Sequence, residues 1–88
     1  MNIYALNDSK LGEFGQPFFF TANGQAVRFL QDLVRDPKTM VAQHPEDFRL
    51  YQIGSYDPVS GSFVGLPTPL FLADASSFVE PNNVRQIG

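Results

Sequence analysis

The side chains able to do chemistry are few. His44 is the only histidine, and imidazole is the one side chain whose ordinary pKa lies near neutrality. Glu46 and Asp47 follow it closely, and a histidine beside two carboxylates raises the question of a divalent cation. On an extended chain, however, adjacent residues point apart, so the expectation is a solvated loop histidine and no metal site. Ser9, Ser55, Ser60, Ser62, Ser76 and Ser77 are scattered without a framing motif. No G-x-S-x-G elbow, H-E-x-x-H helix or Walker-type glycine loop is present. There is no cysteine, which removes thiolate ligands, cysteine nucleophiles and disulfides together. Neither an enzyme nor a cofactor is expected.

The second chemistry is recognition of single-stranded nucleic acid, which needs cations for phosphates and ring faces for bases. Arg49, Tyr51 and, across Gly54, Tyr56 lie on or near one stretch, with Arg28 as a further cation. In strict strand alternation Arg49 and Tyr51 share a face, and Ile53 shares it too. The competing structural reading places Tyr51 and Ile53 in the core with Arg49 covering its rim. Phe18, Phe19 and Phe20 divide in the same way between core, partner contact and base stacking, with core favoured in so small a chain. Six Lys and Arg against nine Asp and Glu give a net charge of −3, so no strong positive field draws the whole molecule to a polyanion.

These groups must be positioned by a chain of 88 residues, enough for one domain, expected over residues 1–79 with a tail over 80–88. No apolar run is long enough to span a bilayer, and the first residues lack the pattern of a secretory signal, so no membrane partner is expected and the cytoplasm is the expected compartment. Asn2 to Leu6 reads as a strand covered on both faces. Asn7 to Gly15 reads as a loop, and Phe18 to Thr21 as a second strand after Pro17. From Asn23 to Asp36 the apolar residues Ala26, Val27, Leu30, Leu33 and Val34 form a helical stripe, with Asn23 as N-cap and Pro37 as the stop. Pro37 to Asp47 reads as a polar loop with room for one helical turn. Phe48 to Tyr56 and the run from Ser62 form a hairpin around Asp57-Pro58-Val59-Ser60-Gly61. Gly54 marks a bulge or a close approach. Gly65 to Pro69 leaves the returning arm open between an edge strand, a bulge and two short strands.

The fold class expected is α+β: a small antiparallel sheet of four or five strands in the order ββαββ, with one helix on one face. An OB-like barrel is the alternative.

The ordered features carry a resemblance. An N-terminal strand ends in Asp8; the Gly15-Gln16-Pro17-Phe18 step follows; then come the Thr21-Ala22-Asn23-Gly24-Gln25-Ala26-Val27-Arg28 helix start and the Leu50-Tyr51-Gln52-Ile53-Gly54-Ser55-Tyr56-Asp57 arm closing at Gly61. Together, over about Tyr4 to Val64, they resemble the small nonstructural DNA-binding proteins of gokushoviruses, a branch of the Microviridae with single-stranded circular DNA. The resemblance implies a phage protein made in the host bacterial cytoplasm that acts in genome replication or packaging, and Arg28 is the cation it matches. Two readings of function follow. One is a weak single-stranded DNA binder using Arg28, Arg49, Tyr51 and Tyr56. The other is a protein-interaction factor, possible as a homodimer, that serves phage replication or procapsid proteins without DNA affinity.

Overall fold

In a computed structural model that describes residues 1–80, a five-stranded antiparallel sheet is covered on one face by a single long helix. The elements are β1 (Asn2–Asp8), β2 (Glu13–Phe14), β3 (Phe18–Phe20), α1 (Asn23–Arg35), the short α2 (Met40–Gln43), β4 (Phe48–Asp57) and β5 (Ser62–Asp74). Single 3-10 turns at Pro45–Asp47 and Ala75–Phe78 precede β4 and follow β5. The expected tail over 80–88 lies, apart from Glu80, outside the described residues.

β1 is the centre of the sheet. β4 pairs along one of its edges, while β3 and β2 share the other, opposite Asn2–Tyr4 and Asn7–Asp8 respectively. Among the described residues β5 pairs only with β4 and forms a free edge, a position that tolerates Pro67 and Pro69 because an outward-facing amide is not needed there. The α+β class holds, and the half-open sheet is compatible with the OB-like alternative. Three strands rather than two precede the helix, because the stretch expected as a loop reverses sharply. Gly12 takes φ +71°, its amide donates to the Asp8 carbonyl at 2.8 Å, and the chain returns on β1 as β2. The returning arm of the hairpin is one irregular edge strand through Asp74.

Helix α1 follows its apolar stripe. Ala26 and Leu30 are buried, and Val27, Leu33 and Val34 pack around them. Asn23 is not the N-cap. Ala22 holds that position, and the Gln25 side-chain oxygen accepts from the Thr21 and Ala22 amides, both at 3.0 Å. Asn23 instead points its Oδ1 at Tyr4, whose hydroxyl donates to it at 2.7 Å and accepts from Asn2 Nδ2 at 3.0 Å. Tyr4 is thereby fully buried with its polar end satisfied. The helix stops at Asp36, whose backbone is extended as a residue before proline must be. The polar connection then forms α2, capped by Thr39, because Val41 must reach the core beside Leu50 and Ala75.

Candidate nucleic-acid interface

The sheet face away from α1 is built by alternation from β1. Tyr4 and Leu6 point to the helix side with the core, so Ile3, Ala5 and Asn7 point to the open side. Their cross-strand partners are Phe19 and Gly54 for Ile3, Tyr51 for Ala5, and Phe14 and Arg49 for Asn7. Tyr51 and Tyr56 are an odd number of residues apart, so strict alternation would put them on opposite faces. A bulge at Ile53 resolves this: Tyr4 pairs with Gln52 and Ile3 with Gly54, leaving Ile53 unmatched. Both tyrosines therefore reach the open side.

The rings there form two groups. Phe14, Tyr51 and Phe71 stand in a row, with centroids 5.4 Å and 5.7 Å apart and edge-to-face contacts. Phe19, Tyr56 and Phe63 close on one another at 5.0 to 6.3 Å and with Met1 line an open recess of about 400 Å³. Between the groups lies a floor of Ile3, Ala5 and Gly54, all buried. Gly54 is required by close approach, since a Cβ there would lie 2.5 Å from the Val64 carbonyl oxygen. Phe63 and Phe71 are 67% and 48% exposed. Flat, partly exposed rings beside a buried apolar floor can stack planar bases or receive another apolar surface.

Charge on this face is sparse. Arg49 is on the open side as expected, but its Nε donates to Asp74 Oδ1 at 2.8 Å in a directly opposed cross-strand pair. With both partners exposed, such a pair adds little stability. Arg28 is not gathered with the other three candidates: it projects from α1, on the far side of the sheet, beside Phe20, Phe29 and Asp32. Arg35 lies 3.9 Å from Glu80. At the hairpin tip the Val59 amide, followed by the Ser60 hydroxyl, holds the Asp57 carboxyl below its ordinary value. Gly61, at φ +76°, closes that turn by donating to the Asp57 carbonyl at 2.7 Å.

Sequence reasoning therefore placed Arg49, Tyr51 and Tyr56 together and did not single out Phe14, Phe63 and Phe71. Phe63 carried a usable signal, since it and Tyr56 are equidistant from the centre of the hairpin turn. Phe18 and Phe20 go to the core and Phe19 to the open face. The expectation that Glu46 and Asp47 diverge from His44 does not hold. The 3-10 turn replaces extended chain and brings donor atoms of all three within 4.8 Å of one another.

A family model described as "Phage ORF5 protein" matches residues 1–78. No curated protein and no solved structure matches the chain. Among the described residues no helix is long and apolar enough to cross a membrane.

Proposed function

The chain belongs to the Phage ORF5 protein family, and we propose that it is a gokushovirus nonstructural protein that binds single-stranded DNA during genome replication or packaging in the host cytoplasm. The observation that carries this reading is the pair of aromatic groups on the helix-free face, spread over the four strands β2, β3, β4 and β5 and divided by a buried apolar floor. Bases stack on such rings with little sequence preference, at about 1 to 3 kcal/mol each. The ligand is single-stranded because paired bases present edges rather than faces.

Phosphate contacts contribute little in this scheme. Arg49 is the cation at hand, and a phosphate must compete with Asp74 for it. Arg28 supports the far side of the fold and is not part of the stacking surface. Affinity is accordingly modest and weakly salt-dependent, with a slope of log Kobs against log salt of about −0.7 for one phosphate on a single strand.

One observation favours a second reading. The free β5 edge exposes Phe63, Val64, Leu70 and Phe71, and an apolar edge with its nearest cation neutralised also fits a protein partner, whether another copy of the chain or a component of the replication or assembly machinery. Titration of a fluorescent oligonucleotide, as single strand and as duplex of equal length, separates the two. The DNA reading expects saturable binding that prefers the single strand. Absence of binding at low salt leaves the protein-partner reading.

A further inference from the structure

We infer that the groove between α1 and the β1–β2 turn is a docking site for an extended, cationic segment of a partner protein that inserts two apolar side chains, independent of the aromatic face. Ala26 and Leu30 of α1 are fully buried on the sheet, but the apolar stripe of the helix is wider than the strands beneath it. Phe29 and Leu33, one turn apart, stay half-buried and face a recess of about 480 Å³ whose other wall is Leu6, Phe18 and Phe48. A second recess of about 330 Å³ adjoins the first, shares Asp8, Leu11 and Phe48 with it, and reaches Met40. Leu11 and Met40 are 71% and 64% exposed. An apolar surface of this kind with a polar rim is the mark of an interaction site. Two recesses divided by one wall fit an extended chain, whose alternate side chains share a face about 6.5 Å apart, better than one compact molecule.

Charge selects the occupant. The larger recess has only carboxylates, Asp8 and Glu13, among its charged lining residues. Asp47 joins Asp8 around the smaller one, where Lys10 and His44 also stand. Among the described residues none of these three carboxylates is held in an ion pair. An anionic rim over an apolar floor repels an acidic segment, and the phosphates of nucleic acid with it, and favours apolar anchors flanked by Lys or Arg. A second copy of the chain does not offer that chemistry on its exposed apolar strand: β5 has no Lys or Arg from Ser62 to Asp74. The fitting occupant is therefore a different protein.

The probe is the acetylated and amidated pentapeptide Lys-Phe-Lys-Leu-Lys, titrated into the full chain and followed by backbone amide NMR. Saturable shifts should map to Leu11, Glu13, Leu33 and Met40 and spare Tyr56, Phe63 and Phe71. Affinity should fall by about tenfold or more when the probe is Glu-Phe-Glu-Leu-Glu, which reverses the charge, or Lys-Ala-Lys-Ala-Lys, which removes the anchors. Leu11→Ser and Glu13→Lys, both at exposed positions, should leave the melting temperature unchanged and weaken binding of the first peptide by about fivefold or more. The wild-type shift map and the peptide series decide the matter even where a variant folds poorly. No saturable binding, equal binding of the three peptides, shifts confined to the aromatic face, or wild-type affinity in both variants would overturn the inference. Movement of the same amides on dilution of the peptide-free protein would overturn it as well, by giving the groove to a second copy.

Discussion

Gly54 sits where the fold and the proposed binding face depend on the same few atoms. A methyl group there would lie 2.5 Å from the Val64 carbonyl oxygen and 3.3 Å from the Gly65 Cα. Backbone is the obstacle, so no rotamer change relieves it. Ordinary contact begins near 3.4 Å, and β4 and β5 must separate by close to an ångström locally, at the point where Gly54 and Gly65 pair. Overpacking of this kind costs about 1 to 3 kcal/mol. In a domain of this size each kcal/mol lowers the melting temperature by about 4 to 8 °C. Gly54→Ala should therefore melt at least about 4 °C lower than wild type, read by circular dichroism. Its cross-strand partner is the control: a Cβ at Gly65 meets nothing within 4 Å and its φ is not in the left-handed region. Gly65→Ala should be neutral or stabilising by up to about 1 kcal/mol. Equal melting temperatures for the two variants, or a wild-type value for Gly54→Ala, would refute the close-approach argument.

Tyr4→Phe removes a hydroxyl that bridges Asn23 and Asn2 and should cost about 0.5 to 1.5 kcal/mol in urea unfolding, the net worth of one hydrogen bond whose partners stay within reach of water and of each other; a cost under about 0.3 kcal/mol would contradict it. Asp74→Asn releases Arg49 from its ion pair and should tighten single-stranded DNA binding by several-fold while steepening its salt dependence; unchanged affinity would take Arg49 out of the binding path. The Asp57 carboxyl should titrate by NMR below its ordinary 3.8, and Ser60→Ala should raise it. Since its folded pKa is depressed, its contribution to the hairpin turn is present above the unfolded pKa and is lost as pH falls through the folded value. A titration midpoint at or above 3.8 would show that the Val59 and Ser60 donors do not hold the turn.

Much of this fold was legible because single residues carried unambiguous signals. The stripe from Ala26 to Val34 and the stop at Pro37 define α1, and Asp57-Pro58 with Gly61 define the hairpin tip. Asn23 was assigned as a cap on its type, whereas Tyr4, far away in sequence, competes for its oxygen. β2 escaped notice because two residues have no periodicity, and only the Gly12 turn places them on β1. The site was legible in part for a similar reason. Alternation correctly joins Arg49 to Tyr51, but Tyr56 joins them only through the bulge at Ile53, a register event between strands that no local pattern encodes. The partnering of Arg49 with Asp74 depends on the opposing register of β5, which the run from Gly65 to Pro69 obscures.

Base stacking at the helix-free face is tested most directly by the affinity of Phe71→Leu for a single-stranded oligonucleotide, measured beside Arg28→Ala. Phe71 is half exposed, and leucine keeps the apolar contact with Tyr51 while removing the ring face. The stacking model predicts a loss of about 5- to 150-fold for Phe71→Leu, the equivalent of one base, and near wild-type affinity for Arg28→Ala. Loss in Arg28→Ala with full affinity in Phe71→Leu would contradict it and move the DNA to the helix side.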